Sequence, residues 1–117
     1  YGAATAALAS VLRPGSFSGI MLLDGWFHID VPEALPPVSM PFPPEAHEKG
    51  LCHPALFINS TQFDDLPWLK PSTEHLANST ESEVHVLTGT THMNFMEAAI
   101  WFSPRVMRWV GLLGPAP

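Results

Sequence analysis

Gly19-Ile20-Met21-Leu22-Leu23-Asp24-Gly25-Trp26 is the stretch on which the fold turns. An apolar run lies between a glycine and an Asp-Gly turn. Such a short run, bounded by turn signals, reads as a strand buried on both faces. Strands of that kind are typical of parallel sheets. Pro54-Ala55-Leu56-Phe57-Ile58-Asn59 has the same form, and Val84-His85-Val86-Leu87-Thr88-Gly89 is a third strand with partial alternation.

Helical segments separate these strands. Gly2 to Leu12 is alanine-rich and almost without charge. Alanine is the best helix former, and the lack of charge predicts a helix buried on several sides. Arg13-Pro14-Gly15 stops it. A short helix is expected around Ser72 to Ala77, and a longer one from Asn94 to Phe102. Ser103-Pro104 reads as a cap and first-turn proline opening a last helix, Arg105 to Leu113. Val31 to Cys52 holds Pro32, Pro36, Pro37, Pro41, Pro43 and Pro44. That density predicts a long irregular loop without regular helix or central strand. Alternating helices and strands indicate an α/β fold with a mostly parallel sheet covered by helices. Three strands are few for such a sheet to stand alone. The chain opens at Tyr1-Gly2 without methionine. Residues 1–117 are therefore expected to be the C-terminal portion of one larger α/β domain.

Composition narrows the function. Of 117 residues 46% are apolar and 14% charged, which is too apolar for a disordered chain. The net charge is −6, and the bases are only Arg13, Lys49, Lys70, Arg105 and Arg108. They are too scattered to neutralise a run of phosphates, so nucleic acid is excluded as a partner. No apolar run reaches the length of a transmembrane span. Cys52 is the single cysteine, which excludes an internal disulfide. His47, Glu48, Cys52 and His53 match no common zinc spacing, and neither metal nor cofactor is expected. Asn59-Ser60-Thr61 and Asn78-Ser79-Thr80 fit the glycosylation pattern. Secreted and cytoplasmic settings both stay open, with secretion slightly favoured.

In parallel α/β sheets, ligands bind at the carboxyl ends of the strands. Asp24 sits at one such end. His92 follows another strand through Thr88-Gly89-Thr90-Thr91. An acid and then a histidine is part of the chain order of α/β hydrolases, Ser then Asp or Glu then His. A histidine titrates near neutrality and can carry a proton between a serine and a leaving group. A carboxylate fixes its tautomer. Asp64 and Asp65, after the next strand, are rival acids that sequence alone does not eliminate. Gly15-Ser16-Phe17-Ser18-Gly19 is no nucleophile turn, because Phe17 holds its centre. Tyr1-Gly2 opening an alanine-rich helix looks instead like the second half of such a turn. The serine would then directly precede Tyr1, whose N–H would serve an oxyanion hole. Trp26, Phe27 and His28 follow the acid and are candidates to line a pocket. Met107, Trp109, Val110 and Leu113 recur on one helical face, suited to core packing or to a lipid surface.

Four blocks carry a resemblance. They are Tyr1-Gly2-Ala3-Ala4-Thr5, Gly19-Ile20-Met21-Leu22-Leu23-Asp24-Gly25-Trp26, Pro54-Ala55-Leu56-Phe57-Ile58-Asn59-Ser60 and Gly89-Thr90-Thr91-His92-Met93-Asn94-Phe95. In this order they resemble the C-terminal half of the plasma-type platelet-activating factor acetylhydrolases, or lipoprotein-associated phospholipases. The resemblance implies an α/β-hydrolase fold and a calcium-independent serine esterase. Such an enzyme removes a short or oxidised sn-2 acyl chain from a phospholipid, at a lipid or lipoprotein surface. It makes Asp24 the triad acid and His92 the triad base. The Pro-rich segment and Met93 depart from the family pattern and bear on acyl and head-group specificity. The alternatives are a general carboxylesterase and a non-catalytic binding member of the fold.

Overall fold

The computed structural model of the chain describes residues 2–95 and 104–109. Helix α1 spans Gly2–Leu12, and its buried residues are Ala4, Ala7, Ser10 and Val11. That is one stripe at helical spacing, not burial on several sides. The alanines let the stripe lie close against strand β1, Ile20–Leu23. β1 pairs in parallel with β4, Ala55–Ser60, and β4 with β5, Ser82–Leu87. The sheet order is β1-β4-β5. The fold is thus mixed α/β with a parallel three-stranded sheet and helices.

Period-two alternation puts Leu22, Ala55 and Phe57 on the face that α1 covers. They form the core with Ala7, Val11, Phe27, Ala46, Leu51, Leu76 and Ala77. The opposite face is less covered, with Met21 58% exposed. Burial of β1 on both faces, expected from its composition, is therefore corrected to burial of Leu22 alone. The partial alternation of β5 predicts one buried face, but both faces are open: Val84, Val86 and Leu87 are all exposed, because the described helices leave this edge strand largely uncovered.

The Pro-rich segment also needs correction. It holds regular structure: β2 (His28–Val31) pairs antiparallel with β3 (Val38–Pro41), and helix α2 spans Pro44–Lys49. These strands form a separate two-stranded sheet, where a proline at the end of β3 interrupts no central ladder. Pro44 opens α2, where an N–H has no helical acceptor to lose. The same reasoning explains helix α4, Leu69–Ala77, which starts before the expected Ser72. Pro71 falls in its first turn and is tolerated there. Between β4 and α4 lies a further short helix, α3, Thr61–Asp64. A 3-10 turn covers His92–Phe95, and helix α5 covers Pro104–Trp109. Met107 is buried, whereas Trp109 is 86% exposed, so the two do not share one packed face. Tyr1, the remainder of the expected 94–102 helix, Ser103, Val110 and Leu113 lie outside the described residues.

His53 ties α1 to this framework. Its Nε2 accepts from the N–H groups of Gly15 at 3.1 Å and Phe17 at 3.4 Å. The ring proton therefore sits on Nδ1 and donates to Ser10 Oγ at 2.8 Å. The residue closes a turn rather than joining a metal site. Asn59 is 5% exposed within β4, which leaves no room for a glycan, while Asn78 is exposed at the end of α4.

Candidate active site

Asp24 leaves β1 with φ of 40°, in the left-handed region. Aspartate tolerates that region better than most side chains. Its N–H still donates to Ile58 O at 3.0 Å, so the turn starts directly from the strand ladder. Gly25 follows because a Cβ there would meet the Phe27 ring at 2.1 Å. Phe27 cannot retreat, being fully buried edge-on to Phe57 at 6.0 Å. Phe27 is thereby corrected from pocket candidate to core residue. Consecutive residues diverge here: Trp26 is 44% exposed.

The Asp24 carboxylate is 4% exposed and would be costly without partners. Oδ1 accepts from the Ser60 N–H. Oδ2 accepts from Ser60 Oγ at 2.8 Å and lies 3.1 Å from His92 Nδ1. An ionised carboxylate can only accept, so the imidazole proton sits on Nδ1. That leaves Nε2 with its lone pair, as a proton acceptor. The His92 side chain is 42% exposed, open enough to meet a substrate.

Helix α3 packs under His92. Gln62 Oε1 accepts from the His92 N–H at 3.0 Å. The Phe63 ring stacks on the imidazole, with centroids 4.7 Å apart and planes 24° apart. Trp26 meets Phe63 edge-on at 5.5 Å, so it joins the aromatic group that packs against the histidine. Periodicity and motif spacing do not single out Phe63, Ser60 or Gln62 as neighbours of the dyad. The signal for Ser60 was present: a serine at a strand end before a helical turn is a favoured N-cap.

The structure thus brings Asp24 and His92 together and keeps the other candidates apart. Asp64 pairs with Lys70 at 3.3 Å, and Asp65 ends α3. His85 lies on exposed β5 beside Glu83 at 3.1 Å. His28 is four residues from Asp24 in sequence but faces elsewhere. Its Nε2 is 2.9 Å from Ser39 Oγ and its Nδ1 is 3.4 Å from Ser72 Oγ. It lines a cleft of about 600 Å³ with Met40, His47, Trp68 and His75. That cleft contains neither Asp24 nor His92.

Within the cleft, His47 and His75 stack with centroids 5.4 Å apart. Burial, and then the neighbouring His75, hold the His47 imidazole below the ordinary value of 6.5. The carbonyls of Phe27 and Phe42 pull weakly the other way. Among the described residues, no group of three or more His, Cys, Asp or Glu side chains is placed to hold a metal ion. No described helix is long and apolar enough to cross a membrane. Compared with known proteins, the chain matches no family model, no curated protein and no solved structure.

Proposed function

We propose that Asp24 and His92 are the acid and base of a Ser-His-Asp triad in a calcium-independent serine esterase. The observation that carries this is the 3.1 Å contact from His92 Nδ1 to a buried carboxylate beyond the end of β1. Ligands of parallel α/β sheets bind at that end of the strands. The proposed nucleophile is a serine directly before Tyr1. Ser60 is no candidate, because its hydroxyl donates to Asp24.

In the proposed reaction, His92 Nε2 takes the serine proton as Oγ attacks the ester carbonyl. The Tyr1 N–H stabilises the oxyanion. The protonated imidazole, held by Asp24, then gives its proton to the departing alcohol. Water, deprotonated by the same Nε2, attacks the acyl-serine; the imidazolium returns that proton to the departing serine Oγ, which releases the acid and restores the free enzyme. The proposed substrate is a phospholipid with a short or oxidised sn-2 acyl chain. That class rests on the four-block resemblance. The partly bare sheet face supports placing residues 1–117 within a larger α/β domain.

The test uses protein that includes the residues preceding Tyr1. A fluorophosphonate probe should label a serine adjacent to Tyr1. A 2-acetyl phospholipid should lose acetate at a rate unchanged by a calcium chelator. Absence of a serine at that position, or of labelling, overturns the proposal. Cleavage of soluble esters alone would replace the phospholipid substrate with a general carboxylesterase activity.

A further inference from the structure

Four consecutive side chains at the end of β4 each touch a different part of the two loops that present Asp24 and His92. Ser60, fully buried, donates its hydroxyl to Asp24 Oδ2 at 2.8 Å. The same oxygen accepts from the Phe63 N–H at 3.4 Å and caps α3. Thr61 Oγ1 donates to Leu87 O at 3.1 Å and accepts from the Gly89 N–H at 3.0 Å, gripping the loop that leaves β5. Gln62 holds the His92 backbone through its side chain at 3.0 Å. Its own N–H reaches Thr90 O at 3.5 Å. Phe63 stacks on the His92 ring.

β4 lies between β1 and β5, so among the described strands it is the one adjacent to both loops. Its parallel register sets Ile58 beside Leu23 and Ser60 beside Leu87. The residues at and just past its end therefore touch both the acid and the base. We infer that Ser60-Thr61-Gln62-Phe63 is a positioning segment that sets the Asp24–His92 geometry from the middle strand. The inference rests on the esterase reading for its kinetic consequences, and on the contacts alone for its structural ones. Ser60 couples the two halves, because one hydroxyl bonds the acid and caps the helix that carries the base's supports. None of the four is assigned a contact with substrate. Their action is through the dyad, where small displacements from reacting geometry carry large rate penalties.

Thr61→Val removes both hydroxyl contacts at nearly constant volume on a half-exposed position, and Thr61→Ser restores them. Gln62→Ala removes the hold on His92 at an exposed position. Ser60→Ala tests the coupling itself. In protein that includes the residues preceding Tyr1, Thr61→Val and Gln62→Ala are each expected to lower kcat by about tenfold and Ser60→Ala by about 10²-fold. KM should stay within about twofold, and Thr61→Ser should recover most of the rate. The His92 Nδ1–H proton resonance should shift or broaden in all three loss variants and return in Thr61→Ser. Lys70→Met serves as the unaffected control. Folded Thr61→Val and Gln62→Ala proteins with wild-type kcat and an unmoved ring resonance would overturn the positioning role. If the resonance responds as expected but even wild-type protein cleaves no ester, the positioning stands and the esterase reading fails.

Discussion

At the scale of the residue, Asp24 differs from the other carboxylates in its surroundings, not its chemistry. It is buried, receives two bonds from Ser60, and faces an imidazole. Asp64 is only a few residues beyond Ser60 but faces outward to Lys70. Such an exposed pair contributes little, about 0–1 kcal/mol. Asp24→Asn keeps the side chain's shape but removes the acceptor that fixes the Nδ1–H tautomer. In protein bearing the proposed serine it should lower kcat by about 10⁴-fold, the scale of the same change in a serine-protease triad. Asp64→Asn should leave kcat within about twofold. Steady-state hydrolysis of a chromogenic acetyl ester measures both. Activity retained in the first and lost in the second would reassign the acid.

At the scale of the element, α2 and α4 meet through imidazoles. His75 Nε2 lies 3.0 Å from His47 O, and the two rings stack almost parallel. A second charge there would be repelled by the first and stripped of water, consistent with the lowered His47 value. The unfolded chain binds the His47 proton near pH 6.5, where the folded chain still excludes it. Stability is therefore highest with His47 neutral, declines as pH falls below about 6.5, and levels off below the folded value. His47→Gln should flatten this part of the curve, measured as Tm between pH 7.5 and 5. Equal slopes in wild type and variant would rule out His47 as the source. Asp30, Glu45, Glu48 and Glu74 also lie on the elements around this contact, and both proteins retain them.

At the scale of the whole molecule, the radius of gyration is 15.4 Å, against about 13 Å for a compact domain of this length. The excess accompanies a sheet face that the described helices leave partly bare. By register, Met21, Leu23, Leu56, Ile58 and Leu87 share that face, together with Glu83 and His85 on β5. Met21, Leu23 and Leu87 are 58%, 41% and 42% exposed. Exposed apolar side chains grouped in this way favour contact with other apolar surface. The 117-residue chain should enhance the fluorescence of a hydrophobic dye at neutral pH. Met21→Lys with Leu23→Thr should reduce the enhancement without altering far-UV circular dichroism. Undiminished dye binding in that variant would place the apolar surface elsewhere.

The amino-acid sequence by itself determined the three strands of the main sheet, their parallel class, and the placement of Asp24 and His92 after two of them. These follow from local rules: apolar runs bounded by turn residues, and loops that begin where runs end. Local rules also placed α1 and the start of α5 at Pro104. They misjudged the Pro-rich segment, because proline's cost depends on whether a ladder or helical hydrogen bond is there to lose. At the end of β3 and the start of α2 it is not. Tertiary structure alone decided which acid meets the histidine, and that Phe27 turns into the core while Trp26 does not. It also decided that Ser60 and Phe63 surround the dyad. Asp24 and His92 are 68 residues apart, and their contact depends on the strand inserted between β1 and β5. Periodicity shows that a strand exists, but which neighbours it takes is set by long-range packing. Here that choice puts the end of β4 against both the acid and the base.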